Sequence, residues 1–550
     1  MREIDRLTTE RYSIPSLLLM EAAANAAARA VAEHFPQNFP DLRTLILCGR
    51  GNNGGDGAAL ARVQWAAGAS VEVLLFGRVE ETTGDARANF EIVRRLSASA
   101  GEDDYDNARL TFFECAGGGD EWERARGRLE RYDVIIDALF GTGLSRPLEG
   151  VFREAAVALS SARGARAGGH SPRPLVVSLD LPSGLDADSA EPIGDAVRAD
   201  LTVTFTAPKP ANVLAPASHF NGRLVVAGIG SPASLLEETA SQLFLVVAED
   251  AHAWLASTRY APDSFKNTHG HALVFAGSRG MAGAAVLTAR AAMRSGAGLV
   301  TVASPASAVP AVAARVMPEA MTAGLCETAG GALSAGAFDE ARPLFERADV
   351  VAVGPGLTTD EETRSFVRTL VERRTTPVVI DADGLNCLAP WPGELRGSPR
   401  LPLILTPHPG EMRRLSGGAE EKTAPKDRVA AVRAFATAHE LIVVLKGART
   451  LVAAPDGRVF VNPTGNAGLG TAGSGDTLTG IITGFLAQAC ATLKDGADPL
   501  SAVLAAVYVG GAAGDAAARA RGMRSMVASD ITEQLGAAIR ALDPEGEQPR

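Results

Sequence analysis

The feature that most constrains this chain is a repeated unit. A short run of branched apolar residues ends abruptly in glycine, asparagine or aspartate and is followed by an alanine-rich stretch. Thr44-Leu-Ile-Leu-Cys48 runs into Gly49-Arg-Gly-Asn-Asn-Gly-Gly-Asp-Gly57, and Asp133-Val-Ile-Ile-Asp137 runs into Ala-Leu-Phe-Gly-Thr-Gly-Leu-Ser-Arg-Pro147. Leu175-Val-Val-Ser-Leu179 runs into Asp180-Leu-Pro-Ser-Gly-Leu-Asp186. Uninterrupted apolar runs of this length are strands buried on both faces, and strands alternating with helices build a parallel, doubly wound sheet. Ligands of such sheets gather at the carboxyl ends of the strands. Asn53, Asp137, Asp180 and Ser183 all fall there. Taken singly, each is also what a turn or a helix cap would use.

The unit recurs in the second half. His271 to Ala276 enters Gly277-Ser-Arg-Gly-Met-Ala-Gly283, and Val350 to Val353 precedes Gly354-Pro-Gly356. Pro377 to Ile380 precedes Asp381-Ala-Asp-Gly-Leu-Asn386, Leu403 to Leu405 precedes Thr406-Pro-His-Pro-Gly-Glu411, and Leu441 to Leu445 delivers Lys446-Gly-Ala-Arg-Thr450. Between the halves, Gly228-Ile-Gly-Ser-Pro232 and a polar stretch break the pattern, which predicts one domain over 1–235 and another over 245–545. At 550 residues the chain has ample length for two cores.

The loop Thr464 to Gly480 runs, at Asp476, into an apolar helical stretch reaching Leu493. The free N–H groups of a helix start make an anion site. Such a terminus contributes roughly 0.3–1 kcal/mol, which positions a phosphate but does not by itself lower a phosphoryl-transfer barrier. Asp476 is the nearest base, with a simple capping role as the alternative. The loop Gly49 to Gly57 does not end in the Gly-Lys-Ser/Thr of a Walker loop, so an ordinary NTPase assignment does not follow. His408, held between two prolines, reads equally as a structural histidine or a substrate contact.

The net charge of −11 and the lack of a dense basic run argue against a nucleic-acid partner. Five scattered cysteines without a Cys-x-x-Cys pair indicate neither a disulfide framework nor a zinc site, and with no export-like apolar N-terminus a cytoplasmic setting is expected. No segment reads as a membrane span, so no membrane partner is expected. The helix from Ser13, with Pro15 in its first turn, carries an apolar face for packing or for contact in a homo-oligomer.

Gly51-Asn-Asn-Gly-Gly-Asp-Gly, Asp137-Ala-Leu-Phe-Gly-Thr-Gly-Leu and Asp180-Leu-Pro-Ser-Gly-Leu-Asp, with the turn Ala207-Pro-Lys-Pro210, resemble the NAD(P)H-hydrate epimerase family. The resemblance implies a Rossmann-like domain holding K⁺ with Asn53, Asp137 and Ser183. It implies a substrate site of Asn52, Asn53, Gly54, Gly55, Asp56, Gly141, Thr142, Gly143, Leu144, Ser145, Arg146, Pro147 and Asp180, with Asp180 as the proton-transfer group. An all-oxygen set suits a hard monovalent cation, and Arg146 is a fixed charge for a diphosphate.

Gly277-Ser-x-Gly-x-x-Gly-Ala, Arg294-Ser-Gly-Ala-Gly-Leu-Val, Asp381-Ala-Asp-Gly-Leu-Asn, Thr406-Pro-His-Pro-Gly-Glu and Gly473-Ser-Gly-Asp476 resemble the ADP/ATP-dependent NAD(P)H-hydrate dehydratases, which are ribokinase-like. Implied here are Ala297, Gly356, His408 and Asp476 for the hydrated nicotinamide substrate. Lys446, Gly447, Ala448, Arg449 and Thr450 with Gly475 would take the adenine nucleotide, ADP by the bacterial pattern, with Mg²⁺ and with Asp476 as catalytic base. Two residues depart from the family: Phe265 replaces an expected histidine before Lys266, and Thr477 a common valine. The rival function on the same fold is a vitamin-precursor kinase joined to a nucleotide-binding module.

Overall fold

The computed structural model describes all residues except 37–38, 100–108, 117–118, 165–172, 419–426 and 547–550. It divides into two compact units, Met1–Ala240 and Ser241–Arg550.

The first unit is built on a seven-stranded, wholly parallel sheet. Its strands are β1 (Arg43–Cys48), β2 (Ser70–Leu75), β3 (Leu110–Glu114), β4 (Val134–Ala138), β5 (Leu175–Leu179), β6 (Leu201–Phe205) and β7 (Arg223–Ala227). Their order is β3-β2-β1-β4-β5-β6-β7. The inner strands are buried along their length because helices cover both faces, which is why they read as unbroken apolar runs. Chain direction across the sheet reverses between β1 and β4, so the loops leaving these neighbours part and open a crevice.

Two helices precede the sheet. Arg2–Tyr12 (α1) ends on Ser13, whose φ of 54° closes it in the left-handed region. Ser16–His34 (α2) then begins with Pro15 in the capping position. Ser13 therefore terminates α1 and does not open α2, a correction to the sequence reading. After β1 comes Asn52–Ala66 (α3), and its glycines are explained by packing. A Cβ on Gly54 would lie 1.8 Å from the carbonyl oxygen of Gly49, and one on Gly55 would lie 2.7 Å from the Cα of Ala86.

The second unit carries ten strands: β8 (Leu243–Leu245), β9 (His271–Phe275), β10 (Leu299–Pro305), β11 (Met321–Leu325), β12 (Val350–Val353), β13 (Val378–Ile380), β14 (Leu403–Leu405), β15 (Ile442–Leu445), β16 (Leu451–Ala453) and β17 (Val459–Val461). The order is β11-β10-β9-β12-β13-β14-β15-β16-β17-β8. Pairing is parallel from β11 to β15, antiparallel through β15-β16-β17, and parallel again between β17 and β8. Here the reversal lies between β9 and β12. Both units thus have the doubly wound α/β architecture expected from the sequence.

Among the described residues one helix, Pro499–Arg521, is long and apolar enough by length and composition to cross a membrane, where the sequence reading found no such segment. Its apolar residues are nevertheless spent on the core: Val503, Ala506 and Val509 are fully buried with Phe485 and Leu486 of the Ser474–Leu493 helix. A helix that is apolar on most sides is what the middle of a large α/β domain requires.

Candidate functional sites

The crevice of the first unit is a cleft of about 720 Å³. Asn52, Asn53 and Asp56 reach it from α3, Gly141 to Leu144 with Arg146 and Pro147 from the loop after β4, and Asp180 from the end of β5. Ser145, Gly54 and Gly55 do not line it. The two glycines are in close packing where α3 meets the end of β1 and Ala86, as described above. Arg146 is exposed and has no ion-pair partner among the described residues, as a diphosphate contact requires.

Asp180 sits at a φ of 65°, a conformation that aspartate tolerates better than most residues. Its Oδ1 accepts from Lys209 Nζ in a buried ion pair and from Thr204 Oγ1 at 3.2 Å. Lys209 Nζ also donates to Thr204 Oγ1 at 2.9 Å and to the carbonyl of Phe205 at 3.1 Å. The other oxygen, Oδ2, lies 3.2 Å from where a Cβ on Gly141 would stand, so only glycine there keeps it open. Asp56 and Asp5 share the cleft, Asp5 arriving from α1. Burial first, then the neighbouring Asp180 and Asp5 charges, pushes the Asp56 carboxyl well above the usual range. Burial likewise raises Asp5.

Beneath the cleft Asp137, fully buried, accepts four hydrogen bonds. They come from Ser178 Oγ (2.7 Å), Ser183 N (2.9 Å), Ser183 Oγ (2.6 Å) and, more weakly, Leu139 N (3.4 Å). Burial still raises its carboxyl above the usual range, the four donors pulling the other way. Asn53 is different: it is buried at 8% exposure, and neither its amide oxygen nor its nitrogen has a partner. A buried, unsatisfied amide in a native site marks a place for a ligand or ion.

In the second unit the groups converge on the carboxyl edge of the sheet, around the start of the Ser474–Leu493 helix. Gly473, with φ of 85°, starts that helix, and Asp476 is its third residue and makes no capping bond, so the capping alternative is set aside. Thr479, one turn on, donates to Asp381 Oδ2 at 2.7 Å, and Lys446 donates to Asp381 Oδ1 at 2.6 Å. These contacts pin the helix start to the ends of β13 and β15. Burial opposes ionisation of Asp381, but Lys446 and the hydroxyl donors win and hold its carboxyl below the usual range. Lys446 is raised: burial works against its charge, and Asp381 and Glu411 outweigh it. Asp476 lacks such donors, and burial together with the Asp381 charge pushes it up to about 6.

Gly475 belongs to the same cluster, since a Cβ there would stand 3.3 Å from Lys446 Nζ. The hydroxyls of Ser474 and Thr477, in the first turn, are buried without partners. Gly447 (φ 145°) and Arg449 (φ 55°) shape the turn from β15 to β16, where Ala448 accepts from Arg428 at 3.2 Å and Thr450 donates to Gly447 at 3.1 Å. Gly356 takes φ of 66° beside Met281, again at the carboxyl edge. His408 caps the Pro409–Leu415 helix, its Nδ1 accepting from Gly410 N at 2.9 Å, and its Nε2 lies 3.4 Å from Glu411 Oε1. The structural alternative offered for His408 is thus realised as a helix cap.

Ala297 is not brought to these groups. It precedes β10, whose first residue pairs with the first residue of β9, so it lies at the amino edge of the sheet. The adjacent Gly296 packs against Gln488, twelve residues along the helix from Asp476, or roughly 18 Å at 1.5 Å per residue. Phe265 and Lys266 are at that edge too, Lys266 O facing Gly298. Lys209, Asp5, Asp381, Thr479 and Glu411 were not singled out as site residues from sequence. Lys209 stood inside a quoted turn and Asp381 at a strand end, signals that locate them without revealing their partners.

Comparison with known proteins places both halves. The family model for the YjeF-related protein N-terminus matches residues 16–211, and the model described as NAD(P)H-hydrate dehydratase matches residues 272–536. A bifunctional NAD(P)H-hydrate repair enzyme of Moorella thermoacetica is 41% identical over 552 residues, covering 100% of this chain and 97% of that protein. The chain belongs to the bifunctional NAD(P)H-hydrate repair enzyme family. The Escherichia coli enzyme of that name is 34% identical, over 99% of this chain and 93% of its own. Among solved structures, an ADP/ATP-dependent NAD(P)H-hydrate dehydratase from Bacillus subtilis is 31% identical, covers 55% of this chain and 100% of its own, and superposes with a TM-score of 0.46. Membership in this repair family sets aside the vitamin-precursor kinase reading, because family relatives span both halves of the chain.

Proposed function

We propose that the two units divide one repair between them. The first interconverts the R and S epimers of hydrated NADH or NADPH. The second removes the added water from the S form at the expense of ADP, giving AMP and phosphate. The observation that carries this reading is the pair of separate acid–base sites, each at the carboxyl edge of its own sheet: Asp180 with Lys209 in one, Asp476 beside Lys446 in the other.

In the second site Asp476 takes the proton of the C6 hydroxyl as that oxygen attacks the terminal phosphoryl group, and phosphate then departs as the ring double bond re-forms. A carboxylate raised to about 6 is a stronger base than an ordinary aspartate yet still ionised near neutrality. The turn Lys446 to Thr450, Gly475 and the unpartnered hydroxyls of Ser474 and Thr477 receive the nucleotide at the helix start. Gly356 and His408 border the substrate. Mg²⁺ would be held through the nucleotide phosphates beside the helix start and would supply positive charge to offset theirs.

In the first site Asp180 exchanges protons with substrate, and Arg146 meets the diphosphate. Asn53, Asp137 and Ser183 would hold the potassium ion. Asn53 fits best, its amide oxygen being buried and unpartnered, whereas Asp137 is already surrounded by donors. When bound, the ion supplies fixed positive charge at the strand ends. Replacing potassium by a large organic cation should slow epimerisation and leave dehydration of pure S substrate unchanged. Equal slowing of both would refute the assignment. A cytoplasmic homo-oligomer completes this reading, and sedimentation of the full chain tests the assembly.

The central test is to supply mixed epimers with ADP or ATP and follow NADH absorbance, with the R and S fractions resolved by chromatography. Full recovery of NADH from both epimers, faster with ADP, is expected. Accumulation of a stable phosphorylated alcohol would overturn the reading.

A further inference from the structure

Five carboxylates line the cleft of the first unit, Asp5, Asp56, Asp85, Glu149 and Asp180, and the surroundings of Asp5, Asp56 and Asp180 differ. Asp180 is surrounded by donors: Lys209, the Thr204 hydroxyl and, at 3.5 Å, the backbone N–H of Phe205. Asp56 receives no hydrogen bond from any described residue. Asp5 Oδ1 is shielded from solvent with no donor in reach. A carboxylate that lacks donors in a partly dry cleft is favoured as the neutral acid, whereas one fixed by an ammonium group is favoured as the base.

Epimerisation at one carbon needs both. Inverting C6 by loss and return of water requires a proton for the departing hydroxyl, which leaves with the C6–O electron pair while the ring nitrogen lone pair forms the C6–N double bond. Water then adds to the opposite face and surrenders its proton to a base, so that atoms and charge balance over the cycle.

Resting on the epimerase reading of this unit, we propose that Asp5 and Asp56 form the proton-donating side of the site. Asp56 is the donor, Asp5 is the positioning residue that sets its charge state, and Asp180 with Lys209 is the accepting side. The position of Asp5 on α1 gives that helix a role: it closes one wall of the cleft with Met1, Arg2 and Asp5, Arg2 reaching the carbonyl of Thr142 at 3.4 Å. Asp56 is raised further than Asp5, so Asp5 ionises first, and its charge, like that of Asp180, then opposes ionisation of Asp56 while Lys209 favours it. The remaining titratable groups nearby are the Cys48 thiol below Asp56, the chain amino terminus beside Asp5, and Arg2, Arg50, Asp85, Arg146 and Glu149 around the cleft.

The test is the pH profile of kcat/KM for epimerisation in the full chain, with Asp5→Asn, Asp5→Glu and Asp56→Asn beside the unaltered protein, all checked for folding by thermal melting. A donor must be protonated, so activity is lost as pH rises through its pKa. Removing the Asp5 charge lowers that pKa, so in Asp5→Asn the alkaline limb moves to lower pH by about one unit, the scale of a single near charge. Asp5→Glu restores the limb. Asp56→Asn loses roughly 10²-fold and has no alkaline limb from this group. A uniform loss in a folded Asp5→Asn protein with an unshifted limb overturns the proposal, as does an active Asp56→Asn. Absence of epimerisation in the unaltered chain would overturn the underlying reading as well, which separates the two failures.

Discussion

The two sites use one device in opposite ways. Each has a buried lysine paired with an aspartate at the carboxyl edge of a parallel sheet, Lys209 with Asp180 and Lys446 with Asp381. In the first unit the paired aspartate is itself the proton-transfer group we propose. In the second the pair is a fixture: Asp381 faces Lys446 and Thr479, and the reacting group we propose is its neighbour Asp476, which has no hydrogen-bond donor among the described residues and is driven up to about 6 by burial and by the charge of Asp381. The comparison teaches that a lysine–aspartate pair in such a sheet does not identify the base. What identifies it is which carboxylate keeps an open oxygen, Oδ2 of Asp180 in one case and the whole carboxyl of Asp476 in the other.

The largest expected effect tests that contrast directly. Asp476→Asn keeps the shape of the helix start and removes the base, so dehydration should fall by roughly 10²–10⁴-fold while epimerisation persists. Asp180→Asn should do the reverse: from a mixed pool the variant consumes the S epimer and then slows to the spontaneous rate of interconversion. NADH recovery with chromatography of the residual epimers checks both. An Asp476→Asn protein that dehydrates at the normal rate would break the assignment, and so would an Asp180→Asn protein that drains both epimers in one phase.

Next in size is the fixture itself. Lys446→Met strands Asp381, which is 1% exposed, with only the hydroxyls of Thr479 and Thr406 as donors among the described residues. An uncompensated buried charge of this kind costs about 3–5 kcal/mol. Denaturant unfolding of the second unit should register that loss. A stability change below about 1 kcal/mol would mean that Asp381 is not held as an ion by Lys446.

Much of this was legible in the sequence because a strand buried on both faces is written as an unbroken apolar run, and its end by the glycine or aspartate that follows. The positions of Asp137, Asp180 and Ser183 at strand ends were read in that way, and that of Asp476 from the glycine loop that opens its helix. The strands Leu201–Phe205 and Leu110–Glu114 were not singled out, the first because threonines interrupt its apolar run. Pairings across the sheet left no local trace: nothing near Lys209 names Asp180, and nothing near Asp5 places α1 at the cleft. The packing of Gly54 and Gly55 was not legible because a glycine needed where a helix touches a strand end looks the same in sequence as one needed beside a phosphate. The place of Ala297 at the amino edge was not legible because motif position carries no information about which edge of the sheet a residue occupies.

The smallest effect sharpens the comparison through pH. If Asp476 must be ionised to act, dehydration should be flat above pH of about 6 and fall tenfold per unit below it. The same shift has a stability consequence of opposite sense. The folded protein prefers the protonated carboxyl more than the unfolded chain does, so ionised Asp476 weakens folding, fully above about 6 and progressively less as pH falls toward the ordinary value of 3.8. Asp476→Asn removes that penalty. Allowing for partial exposure, the variant should be more stable than the unaltered chain by about 1–2 kcal/mol at pH 8, with the gain vanishing near pH 4. Chemical denaturation at the two pH values measures it. A variant equally stable at both would mean that the charge at the helix start is solvated in the resting enzyme, and the second site would then resemble the first, with a base supported by its surroundings instead of strained by them.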